Sequence, residues 1–139
     1  MKIHKHVFAL IVVCLGGQSV ADSQSYPYFP QLAQRVLAGD AQAFREVLAT
    51  VAVTSPGEQL EELAELSSRY LRLAPKAFLE GQRDSSSCFG VGFMGVAYVD
   101  DADAVVRELT SRRLVLESVT DPTLDAVKRR CLTQLDRGR

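Results

Sequence analysis

Residues 29–53, FPQLAQRVLAGDAQAFREVLATVAV, carry two apolar stripes at helical spacing, with a stop and a start between them. Phe29, Leu32, Ala33, Val36 and Leu37 recur at the three- and four-residue intervals of one helix face. Pro30 suits the first turn, where its missing N–H costs nothing. Gly39 supplies the stop, and Asp40 can cap the helix that follows. That second helix is predicted over Ala41 to Val53, with Phe44, Val47, Leu48 and Val51 on its inner face. So short a connection implies two helices packed against each other.

The same logic extends toward the C-terminus. Ser55-Pro56-Gly57-Glu58 reads as a capping box with proline at the first helical position. It opens the longest predicted helix, roughly Pro56 to Leu73, with Leu60, Leu63, Ala64, Tyr70 and Leu71 inward. Glu58, Glu61, Glu62 and Glu65 crowd its first half, where the helix dipole favours negative charge. Pro75 starts a short helix carrying Phe78 and Leu79, and Arg83 to Ser87 form a polar loop. Asp100, Asp101 and Asp103 introduce a helix through Ser118, with Val105, Val106, Leu109 and Leu116 inward. Asp121-Pro122 signals the last start, followed by a stripe of Leu124, Val127, Cys131, Leu132 and Leu135. Lys128, Arg129 and Arg130 read as the basic end of this helix, complementing its dipole. No residue-level repeat is present. The fold class implied is all-α: a compact bundle of five or six short helices, stapled by one disulfide, after a cleaved signal peptide.

The signal peptide is read from residues 1–21. Lys2 and Lys5 give a positive start, Val7 to Leu15 an apolar run, and Ser19 and Ala21 the small residues a signal peptidase reads. The apolar run is shorter than the roughly 20 residues that cross a bilayer. Cleavage before Asp22 leaves about 118 of the 139 residues, read as a single helical domain, 22–139, with an extended arm over 22–29. A lipid anchor on Cys14 is the competing reading, but Val12, Val13 and Leu15 are poor company for one. The mature chain holds twelve arginines against two lysines and neither asparagine nor isoleucine, a bias that points to a GC-rich, bacterial genome. Without asparagine there is no N-glycosylation sequon. The expected location is periplasmic or secreted.

Two cysteines remain, Cys88 and Cys131, and an oxidising compartment pairs them. The loop they close spans about 44 residues, for which the chain-entropy model gives roughly 4 kcal/mol. No C-x-x-C spacing exists to tune a redox thiol. Both histidines leave with the signal, so a serine–histidine or cysteine–histidine pair is excluded from the mature chain. No G-x-S-x-G or Ser-x-x-Lys arrangement is present. The mature charge is −3, which does not favour nucleic acid or an anionic membrane.

Three motifs invite chemistry and have plainer explanations. Gly90-Val91-Gly92-Phe93-Met94-Gly95 matches G-x-G-x-x-G, but a serine run precedes it where a dinucleotide site needs a strand. Asp100, Asp101 and Asp103 lack the glycine and closing glutamate of a calcium loop and serve as helix caps. The four glutamates of the long helix supply carboxylates for glycoside hydrolysis, yet four acids on an amphipathic helix are usually a solvated face. No cofactor and no metal is expected.

Residues 88–99, CFGVGFMGVAYV, are the hardest to place, because their glycines argue against a regular helix. Phe89, Phe93, Met94 and Tyr98 crowd this tethered segment and are the candidate partner surface, core closure being the alternative. In class, a small exported helical domain with one disulfide resembles periplasmic immunity and inhibitor proteins. That analogy carries no residue assignments. The function expected is a non-enzymatic protein-binding domain, with an envelope structural or assembly factor second and a carboxylate-dependent hydrolase third. The partner is another protein, and no membrane insertion follows signal cleavage.

Overall fold

The computed structural model describes residues 29–137, and within them the chain is all-helical: six α-helices and no strand. The helices are α1 (Phe29–Leu37), α2 (Ala41–Val51), α3 (Glu58–Leu73), α4 (Pro75–Gly81), α5 (Ala102–Glu117) and α6 (Asp125–Arg137). Short 3-10 turns at Val96–Tyr98 and Pro122–Leu124 precede α5 and α6. The signal segment, Cys14, the cleavage point before Asp22 and all of the arm but Phe29 lie outside the described residues. Phe29, assigned to both the arm and the stripe, is the first residue of α1.

The α1–α2 junction forms as its residues dictate. Gly39 takes a φ of +89°, the left-handed conformation that glycine adopts without strain. Its N–H bonds to Val36 O at 2.9 Å and the Asp40 N–H to Arg35 O at 3.1 Å, closing a Schellman motif. The Asp40 carboxylate then accepts from Gln42 N at 2.8 Å and Ala43 N at 3.0 Å, capping α2. Arg35 ties the corner together by pairing with both Asp40 and Glu46.

Helix α3 is the hub, packing on α1, α2, α4 and α5. Phe44 of α2 stacks on Tyr70 of α3 with ring centroids 4.4 Å apart, and meets Phe78 of α4 at 5.5 Å. These rings, with Val36, Val47, Leu63, Leu71 and Leu79, fill the interior. Helix α6 docks on α5 and is bonded to the rest of the molecule by the Cys88–Cys131 disulfide, both cysteines fully buried. None of the described helices is long and apolar enough to cross a membrane.

The structure corrects three expectations. The capping box does not form: α3 begins at Glu58 with Gly57 as its N-cap residue and without a side-chain cap. Gly57 sits at a φ of +146°, so the helix cannot run back through it to Pro56. Val106 is 61% exposed, because α5 turns Glu108, Leu109, Arg112 and Leu116 inward instead. Lys128, Arg129 and Arg130 lie in the first half of α6, not at its end. Lys128 bonds Val119 O and pairs with Asp125, while Arg130 bonds Gln82 O at 2.6 Å. Two of these three cations thus serve tertiary contacts.

Candidate functional site

The segment after α4 has no regular structure until residue 96, so its backbone polar groups need other partners. Four side chains supply them. The Gln134 amide on α6 accepts from Cys88 N at 2.8 Å and donates to Cys88 O at 3.0 Å. Gln82 repeats that reciprocal pairing on Phe89, accepting from its N–H at 3.3 Å and donating to its carbonyl at 2.9 Å. Ser67 Oγ on α3 donates to the same Phe89 carbonyl at 2.8 Å. Arg112 on α5 donates to Val91 O at 2.9 Å and Phe93 O at 2.7 Å.

Arg112 is 3% exposed and needs a counter-charge, which Glu108, one turn back on α5, provides at 2.9 Å. Arg72 of α3 reaches the same carboxylate at 3.1 Å. This network joins α3, α5 and the irregular segment. Glycine makes the close approach possible. Gly90 has a φ of +78°, and a Cβ there would stand 2.6 Å from Ser67 Cβ and 2.8 Å from Ala64 O. Within the Gly90–Gly95 run it is Gly90 that lays its backbone against a small-residue patch on α3, while a Cβ at Gly92 would meet nothing within 4 Å.

From Val96 onward the segment is largely exposed. An open groove of about 330 Å³ separates it from the first two turns of α3. Phe93, Met94, Val96 and Val99 form one wall, and Glu58, Glu61, Glu62 and Glu65 the other. A smaller cavity of about 190 Å³ lies alongside, lined by Arg69, Arg72, Tyr98 and the Glu108–Arg112 pair.

The four residues singled out from the sequence divide between these places. Phe89 and Met94 are half-buried and pack against the core, and Met94 also edges the groove. Phe93 is half-buried and lines the groove, while Tyr98 faces the smaller cavity. The large apolar side chains most exposed on the segment are Val96, at 92%, and Val99, at 75%. No family model, curated protein or solved structure matches the chain.

Sequence reasoning missed Val96 and Val99 as surface residues and Arg112, Glu108, Gln82 and Gln134 as supports. One signal was available. Position 112 falls on the helical stripe between Leu109 and Leu116, with a glutamate four residues before it, the pattern of a buried ion pair. The two glutamines carried no such mark, since their partners are backbone groups distant in sequence. Asp101 bonds Ala104 N at 2.7 Å and caps α5, as its position suggested. Among the described residues, no cluster of three or more potential ligands is arranged to hold a metal ion.

Proposed function

We propose that the mature chain is an exported, non-enzymatic protein-binding domain of the bacterial periplasm or exterior, of the inhibitor or immunity kind. One observation carries the reading. Val96 and Val99 stand almost wholly in solvent on a segment whose preceding backbone is held by a disulfide and four side chains. Apolar groups exposed on a pre-ordered support lose little conformational entropy when a partner covers them. The groove beside them offers the concave shape in which binding anchors concentrate. The apolar, positively led N-terminal segment and the Cys88–Cys131 bridge support export.

Site-specific cross-linking tests this. A photo-reactive residue at position 96 in the exported protein is expected to trap one partner at one-to-one stoichiometry. The same residue at position 53, just past the end of α2 and not among the residues lining the groove, is expected to trap none. Phe93→Ala and Val96→Asp should each weaken capture by at least ~1 kcal/mol with the melting transition nearly unchanged. Equal trapping from both positions, or capture indifferent to these changes, overturns the reading.

A further inference from the structure

We infer that the groove between α3 and residues 93–99 receives a cationic amphipathic helix of the partner protein. The inference rests on the protein-binding reading and specifies the chemistry of the partner. The apolar wall defines the site. Phe93, Met94, Val96 and Val99 offer a strip for an apolar helix face, with methionine able to adapt its shape.

The opposite wall sets the charge. Glu58, Glu61, Glu62 and Glu65 follow the i, i+3, i+4, i+7 spacing of one helix face and extend about 10 Å along the axis. None of these carboxylates forms an ion pair among the described residues. Many carboxylates elsewhere are matched, Asp40 and Glu46 by Arg35, Glu108 by Arg112, Asp121 by Lys76 and Glu117 by Arg113, and the other described acids without an ion pair, Asp84, Asp100 and Asp103, do not line this groove. Arg69 borders the neighbouring cavities and not this groove. Like charges at these spacings repel along a helix, and a partner bearing lysine or arginine at the same spacing relieves that repulsion while burying its apolar face opposite. An anionic lipid surface is disfavoured by the acidic wall. A second copy is a poor fit, because Lys128 and Arg130 of its most basic stretch are already engaged within the chain.

The probe is a designed amphipathic peptide of leucine and lysine, about 18 residues long so that it can form a helix on docking. Its affinity for the mature protein is measured by fluorescence anisotropy across a range of salt. Binding that weakens as salt rises is expected, with the glutamate-for-lysine peptide and a scrambled peptide of the same composition much weaker. Changing Glu58, Glu61, Glu62 and Glu65 together to Gln, which keeps the helix propensity, should weaken binding at least about tenfold and flatten the salt dependence. Val96→Asp should weaken it about tenfold without altering the melting transition. Equal binding of the acidic peptide, or no response to the fourfold change, overturns the inference. So does a concentration-dependent dimer abolished by Val96→Asp, which would make a second copy the occupant. A native partner trapped from position 96 but indifferent to salt and to the fourfold change overturns only the cationic helix. Failure to trap any partner there removes the protein-binding reading as well.

Discussion

Gly90 combines a positive φ with a contact distance that excludes a Cβ, so two independent constraints fall on one residue. Gly90→Ala should destabilise the protein by at least ~2 kcal/mol, from left-handed strain plus overpacking against Ser67 and Ala64. A urea titration measures the loss, and a variant within ~0.5 kcal/mol of the parent would show that the segment can shift off α3 freely. Asp121 is the residue whose titration bears on stability. Its carboxylate accepts from the Thr123 hydroxyl, pairs with Lys76 and accepts from the Thr123 N–H, and these contacts hold its pKa at about 2, below the ordinary 3.8. The unfolded chain therefore takes up this proton first as pH falls. The stabilisation is fully present above pH 3.8 and is lost as pH drops through about 2. Thermal unfolding of Asp121→Asn against the parent should show a gap near neutrality that closes over that acid window. A gap independent of pH would place the effect of the substitution elsewhere.

At the scale of the element, α5 departs most from its sequence reading. Val105 and Val106 invite an apolar inner face, yet the helix buries Glu108 and Arg112 and leaves Val106 exposed. The gain is that one guanidinium satisfies two carbonyls of a segment that makes no regular ladder. Arg112→Met strips Val91 O and Phe93 O of their donor and leaves Glu108 with only the half-exposed Arg72, so a loss of about 3–5 kcal/mol is expected in chemical denaturation. Arg112→Lys should recover little, since an ammonium cannot reproduce the fork that spans both carbonyls and the carboxylate. Full recovery by lysine would mean that charge alone matters at this position. The α1–α2 corner and the α6 start behave differently. There glycine, aspartate and proline make local contacts within a few residues: α2 begins at Ala41 as the spacing predicts, and Asp121-Pro122 opens a 3-10 turn that leads into α6 at Asp125.

For the whole molecule, the bridge between Cys88 and Cys131 links the irregular segment to the last helix across a sequence separation of 43. Gln134 reinforces the same junction from one turn along α6. Replacing both cysteines by serine should lower stability by about 2–5 kcal/mol, because the closed loop no longer restricts the unfolded chain. It should also loosen the groove, since Cys88 begins the segment that forms its apolar wall. Equilibrium unfolding of the double variant checks the first effect, and weaker peptide binding in the groove checks the second. Alkylation of both thiols in native exported protein would show that the bridge is not formed there.

The helical class, the order of the elements and the identity of the staple were legible in the sequence, because each depends on local periodicity or on setting Cys14, in the expected signal segment, apart from the other two of the three cysteines. Gly39-Asp40, Asp101 and Asp121-Pro122 mark their boundaries through bonds to neighbouring residues, and such bonds are written in spacing. The course of residues 88–99 was not legible. Its conformation is fixed by Gln82, Ser67, Arg112 and Gln134, which lie on four different parts of the chain and meet it only after the helices pack. The acidic stripe of α3 was visible as four glutamates at helical spacing, but a solvated face and the wall of a groove have the same pattern. The four glutamates are indeed solvent-exposed, and packing alone made that solvated face one side of a groove, by laying Phe93, Met94, Val96 and Val99 across from it.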